Sequence, residues 1–347
     1  GQEMGRPPTM RKSATIRDVA REAKVSIAAV SYALNGGGTI GEEVRARVRE
    51  VAQQLGYRPN RSAQAVRTGK SMTLGLVLPD LNNPYYPALA QSFERAARQA
   101  GYTVVLIDTS GHVDEEVQGI RRLEQHGVEG VVWCQTAGPD EVVSSDYSVP
   151  IVVIGTPSLS VDNVTTKDYE GGQYLARHLV EMGHTRIGML TAASVLPSKD
   201  DRRLGFIEAL AGHATVMWEE KAPFAIDLPE RIRAALERRD VSAVMCGNDL
   251  IAVGVLRAAR QLGIQVPTEL SVVGFDDIPW ASIVEPELTT VRQPVSEMAA
   301  VALTLLLDRI AEPSRAVRHF KVGVELIKRQ SVAEAPVSWG WRKIGRS

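Results

Sequence analysis

Residues 72–275 alternate short, continuously apolar segments with amphipathic ones, and this alternation constrains the fold more than any other feature of the chain. The first series predicts strands at 74–79, 102–107, 128–134 and 151–154, and helices at 85–100 and 114–126. The second series predicts helices at 170–182, 202–211, 229–238 and 249–262, and strands at 186–191, 241–246 and 270–275. Because such strands are typical of parallel sheets covered on both faces, we predict an α/β two-lobe body of two Rossmann-like sheets. A ligand is then expected between the lobes, beyond the carboxyl ends of the strands.

Residues 15–60 show a different pattern of short helices. Thr15 can cap a first helix, and Asp18 lies in its positively polarised first turn. Ser26 follows a tight break and can cap a second helix over 27–34. The sequence further predicts helices at about 42–55 and, very short, at 61–68. Two short helices joined by a tight turn predict an N-terminal all-α helix-turn-helix head.

The N-terminal part of the chain, which contains this head, differs from the body in net charge. Residues 1–70 hold 13 basic and 6 acidic side chains, a net charge of +7, whereas the other residues carry a net charge of −8. A basic segment on an acidic body favours a polyanionic partner that contacts only the head. Charge alone also fits a solvated surface, so the helix pattern decides the interpretation. We predict that the head binds double-stranded DNA with its second helix in the major groove.

No export or membrane signal is found. Residues 1–14 lack the apolar core of a signal peptide, and no stretch approaches the ~20 apolar residues of a membrane span. We therefore expect a cytoplasmic, nucleoid-associated protein without membrane contact. Cys134 and Cys246 match no metal spacing and are expected to be buried free thiols.

The motifs of common enzymes are also missing. Residues 67–71 resemble the end of a phosphate-binding loop, but position 64 is glutamine and no strand precedes the segment. His178 and His184 are six residues apart, which does not suit a shared zinc face on a helix. We predict no enzyme, no metal and no cofactor.

An ordered set of motifs resembles the lactose-repressor (LacI/GalR-type) family. The head contributes residues 15–26, 29–35 and 55–60, and the body contributes 80–86, 183–187, 202–206, 248–249, 273–277 and 288–294. Each motif is weak alone, but together they run in order over about residues 15–330. The resemblance implies a repressor that binds a pseudo-palindromic operator as a homodimer and responds to a small-molecule effector.

The resemblance also implies a discontinuous body. We expect a disordered arm (1–14), the helix-turn-helix domain (15–60), a hinge helix and linker (61–71), the effector-binding and dimerisation body (72–330) and a tail (331–347). One lobe would hold about 72–165 and 294–322, and the other about 166–293 and 323–330.

The predicted DNA contacts combine the helix pattern with the family match. They are Thr15, Arg17, Lys24, Ser26, Ile27, Ala28, Ser31, Tyr32, Asn35, Arg45, Tyr57, Asn60, Ala63 and Val66. Arg17, Lys24 and Arg45 are suited to phosphates, which set register without reading sequence. The chain departs from the family at Tyr32, where arginine is usual. Tyrosine cannot make the bidentate pair of arginine with guanine, so the operator sequence stays open.

Further departures lie beside these positions. Ala29 stands where threonine is usual, Lys24 where glycine is frequent, and Gln64 where arginine is common. Val66 stands where a leucine of the family wedges into the minor groove. We predict that Val66 still enters the groove, with a shallower kink because its side chain is shorter.

The resemblance also predicts the effector site. The matching positions are Tyr85, Tyr86, Asp168, Arg202, Phe224, Asn248, Asp276 and Gln293. Carboxylates accept hydrogen bonds from hydroxyl groups, and aromatic rings stack on sugar faces, so a sugar is the expected effector and a nucleoside or purine the alternative. Two rival functions would leave different features in the sequence. A solute-binding protein of the same body fold would have an export signal and no basic head, and a nucleotide-dependent enzyme would have a glycine-rich loop after a strand.

Overall fold

The computed structural model describes residues 14–35, 40–58, 69–135, 147–192 and 197–336. It divides the chain into two compact units, residues 1–71 and residues 72–347. The short helix predicted at 61–68 lies outside the described residues, as do Asn60, Ala63, Gln64, Val66, almost all of the predicted arm and the tail beyond residue 336.

In the head, the described residues form three helices, α1 (Ile16–Glu22), α2 (Ile27–Asn35) and α3 (Glu42–Gln54). Thr15 begins α1 with a reciprocal cap, in which its hydroxyl accepts from the Asp18 amide and the Asp18 carboxylate accepts from the Thr15 amide. Between α1 and α2, Lys24 adopts a φ of 53°. This left-handed backbone is one that glycine adopts without steric cost, which explains why glycine suits this turn.

The three helices enclose a small apolar core. Val19, Val30 and Val48 are fully buried, one from each helix, and Val44 and Val51 pack against them. The helix predicted over about 42–55 ends at Gln54, and Leu55, which follows it, is 38% exposed.

The first sheet of the body consists of β1 (Thr73–Leu78), β2 (Thr103–Asp108), β3 (Val131–Cys134), β4 (Ile151–Ile154), β5 (Asp162–Thr166) and β11 (His319–Val322). These strands are parallel and lie in the order β11-β5-β4-β3-β1-β2. Its helices are α4 (Tyr85–Gln99), α5 (Val113–Gln125) and α10 (Val295–Ala311). Leu89 of α4 and Leu306 of α10 are buried in the core on one face. Ile120 and Leu123 of α5 are buried on the other.

The second sheet consists of β6 (Arg186–Ala192), β7 (Thr215–Ala222), β8 (Ala243–Cys246), β9 (Ser271–Asp276), β10 (Thr289–Arg292) and β12 (Glu325–Ile327). Its strands lie in the order β12-β10-β9-β8-β6-β7, and all are parallel except β12, which runs antiparallel to β10. Its helices are α6 (Asp168–Glu181), α7 (Pro197–Leu210), α8 (Glu230–Glu237) and α9 (Asp249–Gln261), with a short 3₁₀ helix at Pro279–Ser282.

The predicted fold class is confirmed, with two parallel-dominated sheets in the body and an all-α head. The differences lie in the strands that the apolar pattern did not show. β5 and β7 contain polar residues, as in Asp162–Thr166 and Thr215–Ala222. The helix expected from residue 202 begins five residues earlier, at Pro197. Among the described residues, no helix combines the length and the apolar character needed to cross a bilayer.

Candidate functional site

A pocket lined by polar side chains lies in the body at the carboxyl ends of the strands of the first sheet. Its lining residues are Tyr85, Tyr86, Cys134, Gln135, Ile154, Gly155, Thr156, Thr166, Asp168, Arg202 and Gln293. This is the place where parallel α/β sheets bind ligands, because the strands end there and the following loops converge.

Arg202 is the centre of the pocket's electrostatics. Its side chain is 3% exposed, and its Nε donates to the Asp168 carboxylate at 2.5 Å. Its Nη1 lies 3.0 Å from the carbonyl oxygen of Gly247 and 3.4 Å from Asp276 Oδ1. The guanidinium also stacks 3.8 Å above the ring centre of Phe275. Although burial opposes the charge, the two carboxylates together raise the pKa of Arg202 above its ordinary value.

Gln293 connects the two sheets across the pocket. It follows β10 of the second sheet, and its Nε2 donates to Asp276 Oδ1 at 2.6 Å. Its Oε1 accepts from the Thr166 hydroxyl at 3.2 Å and from the Tyr85 hydroxyl at 3.3 Å. Thr166 ends β5 of the first sheet and also lies 2.8 Å from Asp168 Oδ2. A chain of hydrogen bonds therefore joins both lobes at the floor of the pocket.

The close packing of α6 and α7 positions Arg202 against Asp168. A Cβ atom on Gly205 would overlap the carbonyl oxygen of Tyr169, and one on Gly172 would overlap the carbonyl oxygen of Arg202 itself. The two helix backbones therefore touch, and glycine is required on both sides. Asp168 lies in the first turn of α6, where the positive end of the helix dipole favours a carboxylate.

A further buried carboxyl group, that of Asp249, lies behind Asp276. Asp249 is fully buried, and it accepts hydrogen bonds from the Thr290 hydroxyl at 2.5 Å and from the Ile278 amide at 2.9 Å. Burial, reinforced by the neighbouring Asp276 carboxylate, raises the pKa of Asp249 to about 8. Asp276 itself adopts a φ of 122°, a conformation that side chains rarely occupy.

The structure brings together most of the predicted effector residues. Tyr85, Tyr86, Asp168, Arg202 and Gln293 line the pocket. The two tyrosine rings meet edge to face, with centroids 5.1 Å apart. Asp276 lies one hydrogen bond behind them, bonded to both Arg202 and Gln293.

Asn248 and Phe224 do not line the pocket. The Asn248 side chain caps α9 by accepting from the Ile251 amide at 2.9 Å. Phe224 packs against the apolar core that surrounds α8 and α9.

Gln135, Thr156 and Thr166 also line the pocket, although no sequence motif predicted them. Gln135 follows β3 directly, Thr156 comes two residues after β4, and Thr166 is the last residue of β5. The rule that ligands bind beyond the carboxyl ends of parallel strands was the signal that could have found them. Among the described residues, no group of three or more histidine, cysteine or acidic side chains is arranged to hold a metal ion.

In the head, α2 presents an exposed surface near its beginning. Ile27 and Tyr32 are each 48% exposed, and Ala28 is exposed as well. Ser31, predicted to read a base edge, is only 4% exposed and faces the core side of the helix. Ser26 caps α2, since its hydroxyl accepts from the Ala29 amide at 3.1 Å.

The basic side chains predicted to contact phosphate differ in exposure. Arg17 and Lys24 are exposed, whereas Arg45 is half-buried, 3.8 Å from Glu42. Of the other predicted contacts, Thr15 is held by its cap, and Tyr57 packs against the head core, where burial raises the pKa of its hydroxyl.

Two family models match the chain in separate places. Residues 15–60 match the model for bacterial regulatory proteins of the lacI family, and residues 176–332 match a periplasmic binding protein-like domain. Among solved structures, the lac repressor dimer bound to operator and the anti-inducer ONPF superposes with a TM-score of 0.81 at 24% identity, covering 93% of this chain and 100% of that one. The transcriptional regulator CelR–cellobiose complex gives a TM-score of 0.67 at 27% identity, covering 92% and 99%.

Curated relatives match over nearly the full length. The ribose operon repressor of Halalkalibacterium halodurans is 31% identical over 320 residues, which is 91% of this chain and 96% of that protein. The HTH-type transcriptional repressor PurR of Pectobacterium carotovorum subsp. carotovorum is 31% identical over 334 residues, covering 93% and 98%. With its lacI-type head and its two-lobe body, this chain belongs to the lacI family of bacterial regulatory proteins.

Proposed function

We propose that this protein is a ligand-responsive repressor that binds a pseudo-palindromic operator as a homodimer, with a sugar in the pocket of the body. One observation carries the proposal: the pocket's polar side chains come from both lobes and bond across it, as Thr166 and Tyr85 do to Gln293. A ligand that replaces these bonds changes how the lobes are held. DNA affinity and ligand affinity are then coupled reciprocally.

The exposed surface of α2 is proposed to read the operator. Ile27, Ala28 and Tyr32 offer apolar contact and one hydroxyl, while Arg17 and Lys24 neutralise phosphates. The hinge residues Asn60, Ala63 and Val66, with Asn35, Ser31, Arg45 and Tyr57, remain proposed contacts on the family pattern.

The family relatives guide the choice of effector. They include a ribose operon repressor, the HTH-type transcriptional repressor PurR, and regulators in complex with ribose and with cellobiose. A sugar is therefore the first candidate for this chain, and a purine or nucleoside the second. Two further elements of the proposal are a location at the nucleoid and the absence of catalysis. The rival function, solute binding without regulation, does not account for the net charge of +7 on residues 1–70.

The experiment is a titration of the full chain with fluorescent duplex DNA, selected from a random pool and measured between 50 and 200 mM salt. A protein that makes 6–10 phosphate contacts loses roughly 10³–10⁵ in affinity over this range, and we expect a steep decline here as well. The control is the double variant Arg17→Glu, Lys24→Glu, which reverses two exposed charges and should flatten the salt dependence. An affinity that hardly changes with salt contradicts the DNA-binding half of the proposal.

The sensing half is tested on the same complex. Adding the effector should change the DNA affinity by ~5–150-fold, the usual size of allosteric coupling, in either direction. A sugar that raises the melting temperature but leaves DNA binding unchanged would favour the solute-binding alternative.

A further inference from the structure

Two polar side chains in the pocket stand apart from its hydrogen-bond network. Gln135 is 3% exposed, and neither its amide nitrogen nor its amide oxygen has a hydrogen-bond partner. Thr156 is 1% exposed, and its hydroxyl also has none. Both line the pocket. Because leaving a buried polar group unpaired is costly, such groups usually bond to protein, to ordered water or to a bound molecule.

The opposite wall of the pocket has no such unused groups. The Thr166 hydroxyl oxygen lies 2.8 Å from Asp168 Oδ2 and 3.2 Å from Gln293 Oε1, so its single proton is shared between these two acceptors. Asp168 and Asp276 both accept from Arg202. On one wall of the pocket, the polar side chains therefore bond to each other. On the other wall, Gln135 after β3 and Thr156 after β4 have side chains without hydrogen-bond partners.

We propose that Gln135 and Thr156 read the ligand, and that this ligand is an uncharged molecule presenting adjacent hydrogen-bond donors and acceptors, as a non-phosphorylated sugar does. This inference rests on the proposed function and specifies its ligand. The Gln135 amide offers a donor and an acceptor side by side, so its complement is a pair of neighbouring hydroxyl groups. The Thr156 hydroxyl can complete the set from the next loop.

The charges of the pocket determine that the ligand is neutral. The positive charge of Arg202 is already balanced by Asp168 and Asp276, which leaves a net charge of −1 for these three buried groups. A phosphate or carboxylate on the ligand would meet an excess of negative charge in a poorly solvated space. Anionic sugars are therefore excluded by the same residues that hold the site together.

The first test needs no ligand, because it compares two threonines of the same pocket. Thr166→Val removes a hydroxyl that has partners, and we expect the melting temperature to fall by about 3–5 °C. Thr156→Val removes a hydroxyl that has none, and we expect a change smaller than about 1 °C. Gln135→Met, of similar size, should stabilise the ligand-free protein. A clear loss of stability in Thr156→Val and Gln135→Met would show that these groups have structural partners, and would overturn the inference.

The second test uses six probes on the full chain by thermal shift and calorimetry. D-Ribose, D-xylose, cellobiose and hypoxanthine are neutral, while D-ribose 5-phosphate and D-gluconate are anionic. We expect a neutral sugar to bind, both anions to fail, and Gln135→Met and Thr156→Val each to weaken that sugar about tenfold, the value of roughly one hydrogen bond.

The outcomes separate the inference from the proposed function. If a sugar binds and changes DNA affinity but both variants bind it as tightly as the unaltered protein, only the inference fails. If an anion binds best, the charge argument fails while the sensing function stands. If none of the six probes raises the melting temperature, sugar sensing and the inference fail together.

Discussion

At the scale of single residues, Asp249 is a carboxyl group removed from water. It is fully buried, and its partners are one hydroxyl, from Thr290, and one amide, from Ile278. Its folded-state pKa of about 8 lies above the ordinary 3.8. Between these two pH values the unfolded chain releases a proton that the folded chain keeps. Folding therefore loses stability as the pH rises through this window, by up to ~1.4 kcal/mol per pH unit.

We predict that Asp249→Asn gains stability relative to the unaltered protein as the pH rises. Asparagine resembles the protonated acid in shape and does not titrate, so the difference in melting temperature should be larger at pH 8 than at pH 5.5. Thermal unfolding followed by circular dichroism measures this difference. A difference that is the same at both pH values would mean that Asp249 is ionised in the folded protein.

Asp308 provides a control, because its pKa is shifted in the opposite direction from that of Asp249. Its pKa is lowered, chiefly by the hydrogen bond from Arg318, so its contribution is present above the unfolded pKa and is lost only as the pH falls through the lower folded value. Asp308→Asn should therefore have the same effect at pH 5.5 and at pH 8.

Sequence motifs predicted the charged residues of the site better than its uncharged residues. Arg202 and Asp276 stand in recognisable motifs, and the structure joins them. Gln135 and Thr156 stand in no motif, and only the direction of their strands places them at the pocket. Asn248 matches a motif, but its side-chain oxygen caps α9. A motif gives the residue type, whereas the side chain's direction depends on packing partners far away in sequence.

At the scale of elements, burial on both faces made the central strands predictable. β4 is buried at all four residues, and its bounds, Ile151–Ile154, agree with the expected range. β7 lies at an edge and is half-buried over most of its length, so it carries polar residues and no continuous apolar signal. The returning strands β11 and β12 follow a long separation in sequence, and only the family resemblance indicated them.

The contact between α6 and α7 gives an element-scale prediction. In Gly205→Ala the new methyl group would overlap the carbonyl oxygen of Tyr169, and rotation of a side chain cannot relieve contact with backbone. The helices must move apart, which costs ~1–3 kcal/mol of overpacking and separates Arg202 from Asp168. We expect a lower melting temperature together with loss of sugar binding.

The matched control is Gly323→Ala. A Cβ at Gly323 meets no atom within 4 Å. This variant should keep both the stability and the ligand affinity of the unaltered protein. If Gly205→Ala also behaves like the unaltered protein, close backbone packing does not position Arg202.

At the scale of the whole molecule, charge and exposed apolar surface suggest how the chain assembles. Residues 1–70 carry +7 and the rest of the chain −8, so a dimer would bring two basic N-terminal segments to one DNA duplex while the bodies remain acidic. The apolar surface needed to hold two bodies together should then be found on the body. The two edges of the first sheet are β2 and β11.

We predict that β2 lies in the dimer interface. It is an edge strand whose Val105 and Leu106 are 37% and 38% exposed, and apolar edges of this kind are usually covered by a partner. Leu106→Asp should convert the dimer to a monomer in sedimentation velocity and weaken operator binding, because both half-sites no longer engage together. Leu159→Asp is the control, since Leu159 is 85% exposed beside β11 at the other edge of the sheet. Dimers that persist in Leu106→Asp but dissociate in Leu159→Asp would place the interface on β11.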